Sequence, residues 1–352
     1  MSVHSAFDAV SDAALDTLLL PFATGALAWP DDGRVLFVQA RAGSALDRLA
    51  SPGLVCEQDF RPFVDALERS GLRVSDADGK DFRLVLLLPP RQREQARALL
   101  ARTLRRTAPG GVLVAGMLNT EGARSGEADL QRLAGSVQSL SKNKCRVFWT
   151  VADPAVVDAG RIAEWASLDA PRPIAGGRFL SRPGLFAWDR IDAASKLLAE
   201  HFPVDLAGRG ADLGAGFGYL SAEILARCPK VAALDLYEAQ AGALELARQN
   251  LAARAGTAAL DFHWHDVTAG LPHRYDFIVS NPPFHQGRAD QPELGMAFIA
   301  AAAAALLPGG HLWLVANRHL PYEHVLAKGF ATVRTVIEQE GFKVIEAVKA
   351  RA

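Results

Sequence analysis

The stretch that decides the fold is ADLGAGFGYLSAEIL, residues 211–225. A predicted strand ends at Asp212, glycines follow at positions 214, 216 and 218, and a helical stretch opens near Leu220. Glycine allows a sharp turn and a close approach of a ligand to the backbone, and a helix N-terminus presents unpaired N–H groups. The stretch therefore predicts a strand, a ligand-binding loop and a helix, which together form one unit of a parallel α/β sheet.

The glycine spacing distinguishes a nicotinamide dinucleotide from S-adenosylmethionine as the cofactor. A dinucleotide loop has its third glycine at the position that Tyr219 occupies here, so the pattern does not favour a nicotinamide. Asp212 would repel a pyrophosphate but suits a cationic group, such as the amino group of a methionine moiety. Asp235 and Asp266 are interpreted as strand-end carboxylates for ribose hydroxyls and the adenine amine, although each alone fits a cap at a loop start equally well. The set predicts an S-adenosylmethionine site formed by Asp212, Gly214, Gly216, Asp235 and Asp266.

A second motif, FIVSNPPFHQG at residues 277–287, ends a later strand of the same region. Its two prolines lack N–H donors, so the turn offers mainly acceptors. Backbone carbonyls and the Asn281 side-chain oxygen can accept both hydrogens of an NH₂ group on a planar substrate, while Phe284 stacks on the ring. Such acceptors stabilise an amine that gains positive charge in the transition state, so no metal or strong base is needed. The predicted catalytic residues are Asn281, Pro282, Pro283 and Phe284, and no metal site is expected.

Three neighbouring residues have a less specific pattern. Phe186 and Asp192, in PGLFAWDRIDAASKLL, are compatible with covering the cofactor and equally with helix capping and packing. His285 is interpreted as a hydrogen-bonding residue of the turn rather than as a base. A nucleobase inside a duplex cannot enter such a pocket, so a nucleic-acid target would have to be unpaired or flipped.

The whole chain shows two rounds of alternating strand and helix patterns. The first round has apolar strand runs at 34–40, 53–58, 82–90, 110–118 and 145–151, with helical stretches at 91–107 and 126–140. The second round carries both motifs and ends, at 331–350, in two β-rich runs that predict an antiparallel hairpin. The predicted fold is α/β, with two tandem Rossmann-like methyltransferase-type domains, the C-terminal one containing a seven-stranded, mostly parallel sheet that ends in the hairpin. The predicted boundaries are 1–170 for the first domain, 171–184 for a proline-rich linker and 185–352 for the catalytic domain.

Composition limits the partners of the chain. Its 352 residues exceed one domain of ordinary size, and an apolar share of 50% allows a sizeable core. A net charge of −1 gives no overall attraction to nucleic acid or membrane, so any contact with a polyanion must come from local patches. The three cysteines form no CxxC pair, which suits a reducing compartment, and the longest apolar run is too short to span a bilayer. We expect a cytoplasmic monomer without membrane contact.

Five segments between residues 178 and 352 carry a family resemblance: PGLFAWDRIDAASKLL, DLGAGFGYLS, ALDLYEAQAGALELARQNL, FIVSNPPFHQG and VANRHLPYEHVL. With them the chain resembles the bacterial ribosomal-RNA guanine-N2 methyltransferases of the RsmC/RlmG type. The resemblance implies methyl transfer from S-adenosylmethionine to the exocyclic N2 amine of a guanine in ribosomal RNA, with the small-subunit (16S) branch the closer one. It extends weakly to the N-terminal half, where the family has a degenerate copy of the fold for RNA recognition or structural support. FRLVLLLPP fits such a copy, since it ends in two prolines but has Leu88 at the asparagine position.

Contact with ribosomal RNA or a ribosomal subunit would come from basic patches in the N-terminal half. Phosphate attraction by such patches is salt-sensitive and independent of sequence. For the arginine-rich helix, a solvated face is the alternative interpretation. The candidate RNA contacts are Arg91, Arg93, Arg97, Arg102, Arg105, Arg106, Lys142, Lys144 and Arg146.

Other functions fit parts of the pattern. A glutamine-N5 protein methyltransferase or an adenine-N6 DNA methyltransferase would read an NH₂ group with the same proline turn. A ribosome-assembly factor without catalytic activity would bind RNA and keep the cofactor pocket. The presence of both Asn281 and Asp212 argues against that last function.

Overall fold

The computed structural model describes residues 12–31, 34–49, 51–75, 79–254, 256–283, 285–286, 289–290 and 292–351, the residues between 284 and 291 by backbone alone. The chain divides into two compact units. The first unit contains the described residues up to 171 together with 182–184, and the second contains 172–181 and those from 185 onward.

The first unit contains a six-stranded sheet with helices between the strands. Its strands are β1 (Val35–Val38), β2 (Leu54–Glu57), β3 (Phe82–Leu87), β4 (Thr107–Leu118), β5 (Gln138–Lys142) and β6 (Cys145–Val151). Its helices are α1 (Ala13–Leu18), α2 (Leu20–Ala23), α3 (Ser44–Asp47), α4 (Arg61–Arg69), α5 (Arg93–Arg106), α6 (Ala123–Ala134) and α7 (Ala159–Trp165), with a short 3₁₀ turn at Asn119–Glu121.

The first sheet has the order β2-β1-β3-β4-β6-β5, with β6 antiparallel to both β4 and β5. Strand β1 is buried along its whole length. Leu36 and Val38 belong to one hydrophobic cluster, while Val35 and Phe37 belong to another on the opposite face. A continuous apolar run is therefore what this strand needs, because both faces of the sheet are covered.

The second unit contains the larger sheet. Its strands are β7 (Arg172–Ile174), β8 (Phe179–Ser181), β9 (Ala207–Leu213), β10 (Lys230–Glu238), β11 (Ala259–Trp264), β12 (Tyr275–Ser280), β13 (His285–Gln286), β14 (Ala289–Asp290), β15 (Leu306–Asn317), β16 (Thr332–Gln339) and β17 (Phe342–Val348). Its helices are α8 (Ala193–His201), α9 (Tyr219–Arg227), α10 (Ala241–Leu251), α11 (Pro292–Ala305) and α12 (Glu323–Gly329), with 3₁₀ turns at Ala175–Gly177 and Val267–Ala269.

Seven strands form the main sheet of the second unit, in the order β11-β10-β9-β12-β15-β17-β16. The first five are parallel, and the last two form an antiparallel hairpin whose turn residues Glu340 and Gly341 have φ of 54° and 83°. Two residues with positive φ are typical of the tight turn that fits strand twist. In the centre of the sheet, a Cβ at Gly210 would lie 2.1 Å from the Phe277 ring, so glycine is required there. The predicted fold class is confirmed.

The two units share one strand order. In each sheet the first strand lies between the second and the third, and an antiparallel pair forms one edge. Strands β1, β2, β3, β4, β6 and β5 are thus the counterparts of β9, β10, β12, β15, β17 and β16. In the described part of the first unit, β11 has no counterpart. The chain therefore contains two copies of one fold.

The register of the strands makes the correspondence exact at the level of single residues. β1 pairs with β3 over 35–38 and 84–87, as β9 pairs with β12 over 210–213 and 277–280. β2 and β10 lie in the same way against β1 and β9. In this register Phe37 is equivalent to Asp212, and Leu88 is equivalent to Asn281.

Two segments differ from the sequence-based expectation. The helix predicted over 126–140 ends at Ala134, because Gly135 takes a φ of 77° and β5 follows. β5 is an exposed edge strand rich in polar residues, so it lacks the apolar run by which the other strands were predicted. Within the predicted linker, residues 172–181 form the antiparallel pair β7–β8 and belong to the second unit.

The cysteines Cys56, Cys145 and Cys228 are buried free thiols. Burial raises the pKa of Cys56 to about 12, so this thiol is un-ionised at neutral pH. Among the described helices, none combines the length and the hydrophobicity that crossing a membrane would require.

Candidate active site

A cleft lies at the carboxyl ends of β9 and β12. Open α/β sheets bind ligands at this edge. Both sequence motifs contribute to its walls, and the loop before α8 adds a third part. Among the residues that line the cleft are Phe186, Asp192, Ser195, Gly214, Gly216 and Asn281.

The two motifs are joined directly at the strand ends. The hydroxyl of Ser280, the last residue of β12, donates to the carbonyl of Leu213, the last residue of β9, at 2.8 Å. A Cβ at Gly214 would lie 4.0 Å from the carbonyl oxygen of Asn281. The glycine loop and the proline turn are therefore neighbours across one edge of the sheet.

The glycine loop has the conformation that its composition predicts. Gly214, Gly216 and Gly218 have φ of 75°, 55° and 89°, a left-handed region that other residues rarely adopt. A Cβ at Gly216 would meet no atom within 4 Å, so this residue leaves open space on its side of the loop. Gly218 is the N-cap of α9, which places the start of that helix directly after the loop.

Asp212 lies beneath the loop rather than at its surface. It is 0% exposed, and its Oδ2 accepts hydrogen bonds from the Ser221 backbone N–H at 3.1 Å and from the Ser221 hydroxyl at 2.7 Å. Its Oδ1 is buried and has no hydrogen-bond partner among the described residues. Burial raises the pKa of Asp212 to about 7. The carboxyl group thus ties β9 to the first turn of α9, and direct contact with a cationic ligand stays a prediction.

The interpretation of Asp235 as a strand-end residue is wrong. β10 continues three residues further, to Glu238, and Asp235 is 1% exposed inside the sheet. The Arg209 guanidinium contacts both of its carboxylate oxygens, at 2.9 and 2.7 Å, and the Tyr275 hydroxyl donates to Oδ2 at 2.7 Å. Tyr237 adds a 2.6 Å hydrogen bond to Tyr275. The strand continues through a charged residue because these partners, none of them adjacent in sequence, satisfy the carboxylate.

Glu238 is the acidic residue that the strand end actually presents. Its Oε2 accepts from the Gly216 N–H at 2.8 Å, and its Oε1 accepts from the Gln240 N–H at 2.9 Å. Burial raises the pKa of this carboxyl group. An acid at the end of the second strand, about 20 residues after the glycine loop, is the usual acceptor for ribose hydroxyls. The signal was available in the sequence, because Glu238 is the last acid before the helix that follows.

Asp266 lies after β11, as predicted. It caps the 3₁₀ turn Val267–Ala269, and its Oδ1 accepts from the backbone N–H and the hydroxyl of Thr268 at 2.8 and 2.7 Å. The neighbouring Trp264 donates from its indole nitrogen to the Ala239 carbonyl at 2.8 Å. The capping interpretation therefore holds for one oxygen of Asp266, and a contact with an adenine amine stays a prediction.

The carboxamide of Asn281 is fixed by two residues of the loop and helix that precede the catalytic sheet. Its Nδ2 donates to the Oδ2 of Asp192 at 3.0 Å and to the hydroxyl of Ser195 at 2.8 Å. Asp192 is also the N-cap of α8, accepting from the Ser195 N–H at 2.8 Å. Phe186 is 65% exposed at the same cleft. Asp192 thus caps a helix and also contacts the predicted catalytic asparagine.

The rest of the proline turn is described in part. Pro282 is buried and Pro283 is exposed directly after Asn281. The predicted stacking residue Phe284 and the side chain of His285 lie outside the described residues.

One cluster in the second unit has the composition of a metal site. Ligand atoms of Asp235, Asp261 and His263 lie within 4.8 Å of one another. The guanidinium of Arg209 already neutralises Asp235, and burial lowers the pKa of His263. The positive charge that a metal ion would bring to Asp235 is therefore already supplied by Arg209.

Most of the predicted RNA-contact arginines are held in ion pairs. Arg93 and Arg97 bind the buried Asp129, which has a lowered pKa because their hydrogen bonds outweigh its desolvation. The further pairs are Arg102 with Asp169, Arg106 with Glu57, and Arg146 with Glu127. Much of the positive charge of α5 is thus neutralised within the first unit, which the helix sequence alone did not reveal.

Comparison with known proteins agrees with this geometry. The family model described as Methyltransferase small domain matches residues 176–346. A Ribosomal RNA large subunit methyltransferase G from Streptomyces avermitilis is 31% identical over 72% of this chain and 68% of its own length. A Ribosomal RNA small subunit methyltransferase C from an Enterobacter species is 30% identical over 80% of each chain.

The chain belongs to the RsmC/RlmG family of ribosomal RNA methyltransferases.

Two further relatives differ in how much of the chain they match. The Ribosomal RNA small subunit methyltransferase C of Erwinia tasmaniensis is 36% identical, but that match covers 48% of this chain and about half, 49%, of the relative. The structure of the T. Thermophilus 16S rRNA N2 G1207 methyltransferase (RsmC) in complex with AdoMet and guanosine is similar over 96% of this chain and 92% of that chain, with a TM-score of 0.77 and 25% identity. The likeness therefore extends over both units in fold.

The buried carboxyl group of Asp212 predicts a pH-dependent stability. Its pKa is about 7 in the folded protein against 3.8 for the unperturbed group, so the folded state binds the proton more tightly. The free energy of unfolding should therefore fall as pH rises from about 4 to about 7, by at most about 4 kcal/mol, and level off above. Asp212→Asn should remove the part of this fall that Asp212 contributes, and leave the part that the buried Glu238 contributes, in urea unfolding followed by tryptophan fluorescence without cofactor. Asp205→Asn, at an exposed carboxylate, is the control; equal pH dependence in Asp212→Asn and wild type would contradict the assignment.

The position of Glu238 predicts its effect on cofactor affinity. Glu238→Gln should raise the Kd for S-adenosylmethionine by about tenfold, because a charged acceptor for the ribose becomes neutral. Isothermal titration calorimetry measures this, with Glu245→Gln on the exposed face of α10 as the matched control. An unchanged Kd would show that Glu238 does not contact the ribose.

Proposed function

We propose that the protein transfers a methyl group from S-adenosylmethionine to the exocyclic N2 amine of a guanine in ribosomal RNA, with 16S rRNA as the substrate. The observation that carries the proposal is the Asn281 carboxamide at the glycine-loop cleft, with its Nδ2 bound to the protein. Two relatives named as small-subunit enzymes and the structural relative with AdoMet and guanosine support the choice of substrate.

The residues of the cleft fit S-adenosylmethionine. Three glycines in the left-handed region keep this part of the loop open, and the buried Oδ1 of Asp212 beneath it is an acceptor without a partner among the described residues. Glu238 holds the loop from the side through Gly216. Its carboxylate would accept the ribose hydroxyls of the bound cofactor. When bound, the cofactor supplies an electrophilic methyl group on a sulfonium centre.

The proline turn binds and orients the amine. The Oδ1 of Asn281 and the backbone carbonyl of Pro282 accept the two hydrogens of the guanine NH₂ group. Positive charge develops on that nitrogen during transfer, and both acceptors stabilise it more strongly in the transition state than in the ground state. Catalysis thus rests on orientation and on fixed dipoles, and the proton of the methylated amine leaves to solvent.

Loss of the Asn281 acceptor should abolish transfer but leave cofactor binding intact. Asn281→Ala should lower kcat on 16S rRNA or small subunits by about 10²-fold or more, since a fixed acceptor at the developing charge is removed. Its Kd for S-adenosylmethionine should stay within about twofold of wild type. Incorporation of tritiated methyl groups measures the rate, and Gln249→Ala on the exposed face of α10 is the control.

The same assay separates the alternative functions. Protein-free 16S rRNA, small subunits, 23S rRNA, duplex DNA and release factors are offered in parallel to the wild-type enzyme. Incorporation into DNA or into a glutamine of a release factor, with none into ribosomal RNA, would show that ribosomal RNA is not the substrate. It would favour a DNA or a protein methyltransferase instead. Binding of the cofactor without any transfer would point to an assembly factor.

RNA contact is proposed for one edge of the first unit. Arg91 follows the end of β3, and Lys142 and Lys144 flank the hairpin turn between β5 and β6, which lies beside the end of β4. All three are exposed and form no ion pair with the described residues. Their positive charges are therefore available to a phosphate backbone. They lie at the carboxyl edge of the first sheet, and the equivalent edge of the second sheet carries the cleft.

Removal of the two lysines should weaken RNA binding uniformly. The double substitution Lys142→Ala with Lys144→Ala should raise the Kd for protein-free 16S rRNA and reduce the slope of log K against log salt by about 1.4, because two phosphate contacts are lost. Filter binding at several salt concentrations measures both quantities. Arg48→Ala, at an exposed arginine of the first unit outside the predicted contacts, is the control. An unchanged slope in the double variant would exclude this edge as the RNA contact.

A further inference from the structure

The hydrogen bonds of Asn281 leave its carboxamide only one role toward a substrate. An amide nitrogen has two hydrogens, and here one goes to Asp192 and the other to Ser195, at 3.0 and 2.8 Å. No donor remains on the carboxamide. The Oδ1 atom, by contrast, is not used by either contact.

The orientation of the carboxamide is set by Asp192. An ionised carboxylate only accepts hydrogen bonds, so a carboxamide turned by 180° would place Oδ1 against Oδ2 of Asp192 without a hydrogen between them. The same Oδ2 accepts the Ser195 N–H at 2.8 Å as the cap of α8, which fixes the carboxylate itself. Burial of the turn strengthens the preference, because Asn281 is half-buried and Pro282 is buried.

The first unit has the same strand order with different residues at the positions of Ser195 and Asn281. Helix α1 packs on β4 and β6 as α8 packs on β15 and β17, and its N-cap Asp12 corresponds to Asp192. Three residues after each cap stand Leu15 and Ser195, and the counterpart of Asn281 is Leu88.

The first unit therefore has neither the serine nor the asparagine at the equivalent positions, whereas it does have the capping aspartate. Leu15 and Leu88 are 1% and 4% exposed and belong to one hydrophobic cluster. Asp12 caps α1 through Oδ1, and its Oδ2 binds Arg41 at 2.8 Å instead of a carboxamide. Folding and helix capping therefore need the aspartate alone, so the serine and the asparagine of the second unit serve another purpose.

We propose that Asp192 and Ser195 are positioning residues that lock the Asn281 carboxamide as a pure hydrogen-bond acceptor, so that the site selects its target by N–H donors. This inference rests on the proposed function, since it concerns how the same site distinguishes an exocyclic amine from a carbonyl oxygen at the same place on a base. A free carboxamide would rotate and satisfy either group. The locked one leaves a carbonyl oxygen facing Oδ1 without a hydrogen, which is costly in a dehydrated pocket.

The test compares variants that break the lock with one that keeps it. Asp192→Ser retains a good N-cap on α8 but is too short to reach Asn281, and Ser195→Ala removes the second acceptor. Asp192→Asn keeps an oxygen at the position of Oδ2 and serves as the conservative variant. Lys196→Ala, on an exposed neighbour of α8, is the matched control.

Two quantities are measured on each variant. The first is the ratio of the Kd values for inosine and guanosine, which differ in the N2 amine, in the presence of S-adenosylhomocysteine. The second is kcat for methyl transfer to 16S rRNA. We expect Asp192→Ser and Ser195→Ala to reduce the ratio and to lower kcat by about tenfold or more, because a reacting group is misplaced. Asp192→Asn should restore both, and the Kd for S-adenosylmethionine should stay unchanged throughout.

A double-mutant cycle shows whether the two residues act through Asn281. If they do, Asp192→Ser added to Asn281→Ala should lower kcat no further than Asn281→Ala alone. Additive losses, or a wild-type inosine-to-guanosine ratio in the lock-breaking variants, would overturn the inference. Failure of the proposed function gives a different result, since the wild-type enzyme itself would then not methylate ribosomal RNA.

Discussion

The contact between the ends of β9 and β12 is the constraint on which the site depends. These strands are adjacent and parallel, and the hydrogen bond from Ser280 to the Leu213 carbonyl holds their last residues together. Each strand is followed by a stiff segment, a loop of left-handed glycines on one side and a double-proline turn on the other. A flexible link at either end would let a methyl donor and an amine drift apart, and transfer rates fall steeply with such misplacement.

The fold and the general position of the site could be predicted from the sequence because both depend on local patterns. Apolar runs, turn glycines and paired prolines each determine the conformation of the few residues around them. The role of Asp235 could not be predicted in this way. Its carboxylate is bound by Arg209 in the neighbouring strand and by Tyr275, forty positions away in sequence. Without these partners in view, a charged residue was interpreted as the end of a strand.

The same distinction explains the other corrections. Strand β5 lies at an exposed edge, where polar residues are tolerated and no apolar pattern arises. The arginines of α5 formed a plausible RNA-binding face in sequence, yet their carboxylate partners come from α6, β2 and the chain after α7. A one-dimensional pattern shows where charge is placed, whereas only the tertiary structure shows which charges are already neutralised.

The apolar filling of the first unit has a consequence for how the chain can evolve. Phe37, Leu15 and Leu88 have taken the places of Asp212, Ser195 and Asn281 within one packed cluster. Introducing the polar residue of the second unit at any one of these positions would bury a polar group without its partners, at a cost of about 1–3 kcal/mol. Several simultaneous changes would therefore be needed to give the first unit a catalytic centre. Single substitutions therefore cannot convert the first unit into a methyl-transfer domain, because each new polar group would lack the partners that the second unit provides.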